Sequence, residues 1–141
     1  MRQFFDTSVL IAAFWRGHVH HEPSILLFAS ASKAESACAL HSLAEVYAGM
    51  TALPVKPPIP SEQALLFVQE VQSRLTLISL EQPEYVETIQ RAAEVGFTSG
   101  RIYDALLLRA AAKCQAQTIY TWNLKHFRAL APELSANIRT P

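Results

Sequence analysis

A run of three oxygen-bearing side chains, Asp-Thr-Ser at residues 6–8, separates two apolar segments near the start of the chain. The preceding Phe4 and Phe5 favour a β-strand, and the following run from Val9 to Phe14 indicates a buried helix. A strand that leads directly into a helix would place Asp6 at its carboxyl end, where open α/β sheets bind ligands. A simpler interpretation is that Asp6 or Thr7 only caps the helix.

The same alternation of short apolar runs and helical patterns continues along the chain. Further strands are predicted at residues 36–40, 75–80 and 117–121, with a short edge strand around Ile138. Strands that alternate with helices at this spacing predict an α/β fold with a central parallel sheet of four to five short strands and helices on both faces. The length of 141 residues fits a single domain spanning 1–141. The proline-rich segment 53–60 is predicted to be a linker or surface loop.

Composition restricts the classes of partner and compartment. The formal net charge is zero, so any nucleic acid must be held by a local basic patch. Cys38 and Cys114 have no metal or redox spacing and lie among apolar residues, which predicts buried thiols in the reducing cytoplasm. No apolar run approaches the ~20 residues of a membrane span. We therefore expect a soluble cytoplasmic protein with no membrane contact.

Two acidic residues in predicted helices are candidates for the same site as Asp6. Glu45 lies one turn after the second predicted strand, although Ser42 and Glu45 also fit a Ser-x-x-Glu capping box, which would give Glu45 a purely structural use. Asp104 falls on the apolar side of its helix, opposite Arg109 and Lys113, which are spaced as a solvent-facing pair. A carboxylate on a packed face is costly unless a cation or donor compensates it.

A fourth candidate, Asn123, directly follows the strand predicted at 117–121. Helix capping is again the simpler interpretation. If Asp6, Glu45, Asp104 and Asn123 converge at one sheet edge, three carboxylates meet an amide oxygen, and cations are needed to keep the carboxylates ionised. Such oxygen ligands favour Mg²⁺ or Mn²⁺. Ions of this kind support in-line hydrolysis of phosphodiesters.

These segments together resemble the PIN-domain nucleases. In length and order of motifs the chain is similar to VapC-type toxins of bacterial toxin–antitoxin pairs, and the resemblance covers essentially the whole sequence. The segments that carry it are Phe5-Asp6-Thr7-Ser8, the helical Glu45, Tyr103-Asp104-Ala105 and Thr121-Trp122-Asn123-Leu124-Lys125-His126-Phe127. The resemblance implies a three-layer PIN-like fold and a Mg²⁺- or Mn²⁺-dependent endoribonuclease that acts on RNA. It also implies a homodimer inhibited by a small antitoxin encoded beside it.

The resemblance also implies roles for individual residues. Asp6, Glu45 and Asp104 would be metal ligands, and Asn123 would occupy a fourth acidic position. Many members have Asp at that position, so Asn123 removes one charge and puts the affinity of a second metal in doubt. Thr7 and Thr121 would hydrogen-bond the carboxylates. The residues that would contact RNA phosphates are Arg101, Lys125 and Arg128.

Two other classes of protein fit parts of the pattern. Haloacid-dehalogenase-like phosphatases also begin with a strand and an Asp-containing turn, but they usually carry a second Asp where this chain has Ser8. A non-catalytic PIN-like module that binds RNA or protein would explain Asn123 as decay of the site. The retention of Asp6 and Asp104, the only two aspartates of the chain, at costly positions argues against that module.

Overall fold

Short strands alternate with helices along the whole chain in the computed structural model, which describes residues 1–141. The strands are β1 (Gln3–Phe5), β2 (Ser36–Ala39), β3 (Thr76–Ile78), β4 (Thr118–Tyr120) and β5 (Ile138–Arg139). The helices are α1 (Thr7–Phe14), α2 (His21–Ala29), α3 (His41–Thr51), α4 (Ser61–Arg74), α5 (Gln82–Glu94), α6 (Arg101–Lys113) and α7 (Leu124–Leu130). A 3₁₀-helix, Pro132–Asn137, precedes β5.

All five strands form one parallel sheet in the order β3-β2-β1-β4-β5. The predicted α/β fold with a central parallel sheet is confirmed, including the edge strand at Ile138. β2 ends one residue earlier than predicted, because Leu40 already has helical dihedral angles at the start of α3. β3 and β4 are also shorter than predicted. Since the strands are parallel, their carboxyl ends meet at one edge, with β1 in the centre.

The two phenylalanines of β1 organise the core on opposite faces of the sheet, because successive side chains of a strand alternate. Phe5 packs with Val9 and Leu10 of α1 in one apolar cluster, and Phe4 packs with Leu107 of α6 in another. Both rings are fully buried. The helices therefore cover both faces of the sheet, as predicted.

The proline-rich segment and the two cysteines are also the subject of predictions. The proline-rich loop joins α3 to α4, and these helices pack against each other. Cys38 is buried, and burial raises the pKa of its thiol to about 12. Cys114 is only half-buried, so the prediction of two buried thiols is wrong for that residue. None of the seven helices combines the length and apolarity needed to cross a bilayer.

Candidate active site

Asp6 lies at the carboxyl end of the central strand and is 2% exposed. Its Oδ2 accepts hydrogen bonds from the hydroxyls of Ser8, at 2.6 Å, and Thr121, at 2.8 Å. Asp6 occupies the N-cap position of α1, but its side chain makes no capping hydrogen bond. The simple capping interpretation is therefore wrong for Asp6, whose carboxylate is held by hydroxyls from α1 and from the segment after β4.

Burial raises the pKa of Asp6, and the hydrogen bonds from Ser8 and Thr121 act in the opposite direction. The physical cause is that a buried carboxylate loses hydration, while donated hydrogen bonds favour its charged form. The side chain is thus fixed in position while its charge remains costly.

Glu45 reaches the same region from α3. The Thr7 hydroxyl lies 2.9 Å from Ser42 Oγ and 3.2 Å from Glu45 Oε1. The predicted capping box is wrong, because α3 begins at His41 and the buried Ser42 lies inside the first turn, without a capping bond. Burial raises the pKa of Glu45, the charge of Asp6 adds to this, and His41 and the Thr7 hydroxyl oppose it.

Asp104 lies in the first turn of α6 and is half-buried. Its carboxylate has no hydrogen bond or ion pair, unlike that of Asp6. Burial, followed by the negative charges of Asp6 and Glu45, raises the pKa of Asp104 to about 6. These mutual effects indicate that the three carboxylates share one electrostatic environment, although the three lie on separate elements.

The donor set fits a hard divalent cation by its chemistry. No lysine or arginine forms an ion pair with any of the three carboxylates. The His41 Nε2 lies 4.0 Å from Glu45 Oε1 and is cationic only when the ring is protonated. Carboxylate oxygens are the ligands that Mg²⁺ and Mn²⁺ prefer. No group of three such side chains is gathered tightly enough to ligate one ion as it stands. Joint binding would therefore require side-chain movement.

Asn123 follows β4 at the same edge of the sheet and is exposed. It occupies the N-cap position of α7 without a side-chain capping bond, so capping does not account for its amide. Its backbone N–H donates to Thr121 Oγ1 at 3.0 Å. Thr121 thereby connects Asn123 to Asp6.

The three basic residues expected near RNA phosphates have different surroundings. Arg101 lies over the ring of Phe97 at 5.5 Å and is exposed, and Lys125 is also exposed. Arg128 instead donates to the carbonyl of Ile138 at 2.9 Å, which ties α7 to the last strand. Arg101 and Lys125 thus remain the stronger candidates for contacts with phosphate.

Ser8 and Ser42 also support the carboxylates, a role that the sequence did not predict for either residue. Ser8 Oγ donates to Asp6 and accepts the backbone N–H of Trp122 at 3.0 Å, so it joins the ends of β1 and β4. The signal for Ser8 was present, since it lies in the polar run at the turn. Ser42 had no comparable signal, because its contact with Thr7 spans 35 residues.

The fold and the carboxylates at the sheet edge define a class of protein. The PIN domain family model matches residues 4–131, and the chain belongs to this family. Within it the chain is VapC-like: it is 33% identical over 113 residues to Ribonuclease VapC27 of Mycobacterium tuberculosis (strain ATCC 25618 / H37Rv), covering 79% of this chain and 78% of that protein. The resemblance noted in the sequence is confirmed.

Two solved structures share the fold. The crystal structure of Mycobacterium tuberculosis VapC20, described as a sarcin-ricin loop cleaving toxin, matches with a TM-score of 0.73 and 16% identity over 90% of this chain and 94% of that one. VapBC2 from Rickettsia felis, bound to a DNA fragment from their promoter, matches with a TM-score of 0.60 and 22% identity. This match covers 91% of this chain and 92% of that one. At these identities the similarity establishes the architecture alone.

Proposed function

We propose that this chain is a metal-dependent endoribonuclease and the toxin of a type II toxin–antitoxin pair. The observation that carries the proposal is the set of three carboxylates at the sheet edge, Asp6, Glu45 and Asp104, none of which has a lysine or arginine partner. The curated relative VapC27 is named a ribonuclease, and VapC20 is described as a sarcin-ricin loop cleaving toxin. Both descriptions agree with phosphodiester hydrolysis by such a site.

The proposed chemistry assigns a task to each group. When bound, Mg²⁺ or Mn²⁺ would polarise the scissile phosphate and make a nucleophilic hydroxide available near neutral pH. Asp6, held by Ser8 and Thr121, would be the fixed ligand. Glu45 and Asp104 would complete the acidic set, and Asn123 would contribute a neutral oxygen. Thr7 orients Glu45 through its hydroxyl.

The proposed substrate is RNA, held in part by exposed cations beside the site. Arg101 begins the helix that carries Asp104, and Lys125 follows Asn123 by two residues. Because the chain has a formal net charge of zero, affinity for a polyanion has to come from such local charges.

The proposed partners are a small antitoxin and a second copy of the chain, acting in the cytoplasm. Several large apolar side chains are left uncovered: Leu65 and Leu66 on α4 are 50% and 62% exposed, and Val86 and Ile89 on α5 are 44% exposed. Leu65 and Leu66 are adjacent in the sequence, and Val86 and Ile89 lie three residues apart on one helix, so each pair is a candidate contact surface. The structure from Rickettsia felis that shares the fold is named VapBC2, which agrees with an antitoxin partner.

Cleavage of a mixed RNA pool tests the proposal. Purified, folded protein free of inhibitor is incubated with the pool in EDTA, Mg²⁺ or Mn²⁺, and Asp6→Asn and Asp104→Asn are compared with wild type. We expect metal-dependent cutting that each substitution reduces by about a thousandfold or more, since the carboxylates would hold the ions. Glu87→Gln, which changes an exposed carboxylate on α5, is the matched control and should cut normally.

Two outcomes would contradict the proposal. Cutting that persists in EDTA, or in both aspartate variants, excludes these carboxylates as the metal site. RNA binding without cleavage in every metal would favour the non-catalytic PIN-like module instead. The haloacid-dehalogenase-like alternative has no support from the family to which the chain belongs.

A further inference from the structure

A pocket of about 270 Å³ lies at the carboxyl ends of β2 and β3. Leu40 and His41 follow β2 and form one wall, and Ser79 and Leu80 follow β3 and form another. Tyr85 of α5 closes a third side. The lining is mostly apolar, with the His41 imidazole and the Ser79 and Tyr85 hydroxyls as the side-chain polar groups.

His41 connects this pocket to the proposed catalytic carboxylates. Its Nε2 lies 4.0 Å from Glu45 Oε1. Its ring also stacks on Tyr103, with centroids 5.5 Å apart and planes 7° from parallel. Tyr103 and Asp104 both lie in the first turn of α6, so His41 adjoins Glu45 on one side and the helix that carries Asp104 on the other. A group bound in the pocket would therefore lie next to a phosphate held at the carboxylates.

We propose that this pocket receives one unpaired nucleobase of the RNA substrate, the base of a nucleotide that flanks the cleaved bond. This proposal rests on the proposed function and names the feature of RNA that the same site selects. Phosphate contacts carry no sequence information, whereas contacts with a base do. The substrate would thus be RNA whose nucleotide at the cut is unstacked and available to enter a pocket.

The size and lining of the pocket favour a nucleobase as its occupant. An apolar cavity of ~150 Å³ is large enough to hold benzene, so about 270 Å³ leaves room for a larger planar ring. A nucleobase has apolar faces and polar edges. The faces would contact Leu40 and Leu80, and the edges would reach the His41, Ser79 and Tyr85 polar groups. The half-exposed Tyr85, at 40%, leaves the pocket accessible from solvent.

A second cavity provides a matched control. It has a volume of about 470 Å³ and lies between α5, α6 and the segment after α7, with Val95, Phe97 and Leu134 among its lining residues. It is lined by none of the residues around His41. A large side chain placed there tests whether filling any cavity of this protein has the same effect.

The first test uses synthetic RNAs that contain the cut site mapped in the pool experiment, with one base removed at a time. In wild type, removal of the base at one nucleotide flanking the cut should lower kcat/KM about tenfold, because the contacts of one recognised base contribute an effect of this order. Ser79→Trp, which places an indole at the pocket, should lower kcat/KM on intact RNA by a similar factor. In that variant, removal of the same base should have no further effect. Val95→Trp should behave as wild type.

The second test is independent of cleavage. The four nucleoside 5′-monophosphates are titrated into metal-free protein, and the methyl NMR signals of Leu40 and Leu80 are followed. At least one nucleotide should shift both signals in wild type and in Val95→Trp, but not in Ser79→Trp.

The base-binding proposal and the proposed nuclease function are contradicted by different results. The pocket proposal is wrong if no nucleotide shifts the leucine signals of wild type, or if the shifts persist in Ser79→Trp. It is also wrong if removal of each flanking base leaves kcat/KM unchanged. If the nucleotides bind in the pocket but no RNA is cut in any metal, the proposed function fails while base binding stands.

Discussion

Carboxylates near the two ends of α6 have opposite surroundings: one is paired with cations and the other is not. In the last turns, Lys113 Nζ lies 2.6 Å from Glu84 Oε1 on α5, and Arg109 lies 3.9 Å from Glu84 and from Glu87. The hydrogen bond from Lys113 is the main cause that lowers the pKa of Glu84. In the first turn, Asp104 has no cation, and its pKa is raised to about 6.

The contrast separates a structural carboxylate from a candidate functional one. Glu84 is compensated by Lys113 and also accepts the backbone N–H of Glu81 in the capping box of α5. Asp104 has neither compensation and faces two further carboxylates. Perturbed pKa values occur both in structural ion pairs and in functional sites, so the direction of the shift and the missing partner carry the distinction. A site kept uncompensated in this way is suited to a cation from solution.

Removal of the Thr121 hydroxyl, which holds Asp6 in the acidic set, should have the largest effect among the substitutions that test this contrast. Thr121→Val keeps the shape but removes the donor to Asp6 Oδ2, so Asp6 loses orientation while it stays buried. We expect kcat to fall about 10- to 100-fold, as is typical when a partner of a metal ligand is removed. Single-turnover cleavage of RNA measures this. Thr121→Ser, which keeps the hydroxyl, should remain near wild type, and equal losses in both variants would contradict the role.

Removal of the charge at Asp104 should stabilise the folded protein, whereas loss of an ordinary ion pair destabilises it. The pKa of Asp104 is about 6 in the folded protein against an ordinary 3.8. The folded state therefore binds more protons between these values, and stability decreases as pH rises from about 4 to about 6. In EDTA at pH 8, Asp104→Asn should be more stable than wild type by on the order of 1 kcal/mol, since half-exposure screens the charge.

Denaturant titrations at several pH values measure this difference. The advantage of Asp104→Asn should disappear below about pH 4, where the wild-type carboxyl is protonated in both states. Asp104→Asn less stable than wild type at pH 8 would show that the carboxylate is compensated in the folded protein, and the comparison between the two ends of α6 would fail.

The smallest expected effect is at Glu84. Glu84→Gln should lower the melting temperature slightly, because Lys113 and Arg109 lose their anionic partner, and high salt should reduce the difference from wild type. Thermal melts at low and high salt check this. A melting temperature raised by Glu84→Gln would mean that Glu84 is as uncompensated as Asp104.

Much of the sheet edge was predictable from local sequence. The polar turn after Phe4 and Phe5 indicated a strand that ends at Asp6, and the helical phase of Asp104 relative to Leu107 placed it on a packed face. Both signals are local periodicities, and the fold preserves them. The position of Asn123 after a strand followed from the same logic.

Features that depend on distant contacts were not predictable. Ser42 and Glu45 match a capping box, but the sequence gives no sign that Ser42 instead meets Thr7 of another helix. Arg109 and Lys113 have the spacing of a solvent-facing pair, yet the packing of α5 on α6 turns them toward Glu84. The pocket at His41 is formed from β2, β3, α5 and α6 together, so no single segment encodes it.

Calorimetric titration of Mn²⁺ tests the central claim most directly. Wild type, Asp104→Asn and Glu84→Gln are compared in the absence of RNA, so binding is measured apart from catalysis. We predict saturable binding to wild type, the same affinity in Glu84→Gln, and at least about tenfold weaker binding in Asp104→Asn, because Asp104, unlike Glu84, belongs to the acidic set at the sheet edge. Equal affinities in all three proteins, or no binding to wild type, would contradict a metal site at the carboxylates of the sheet edge.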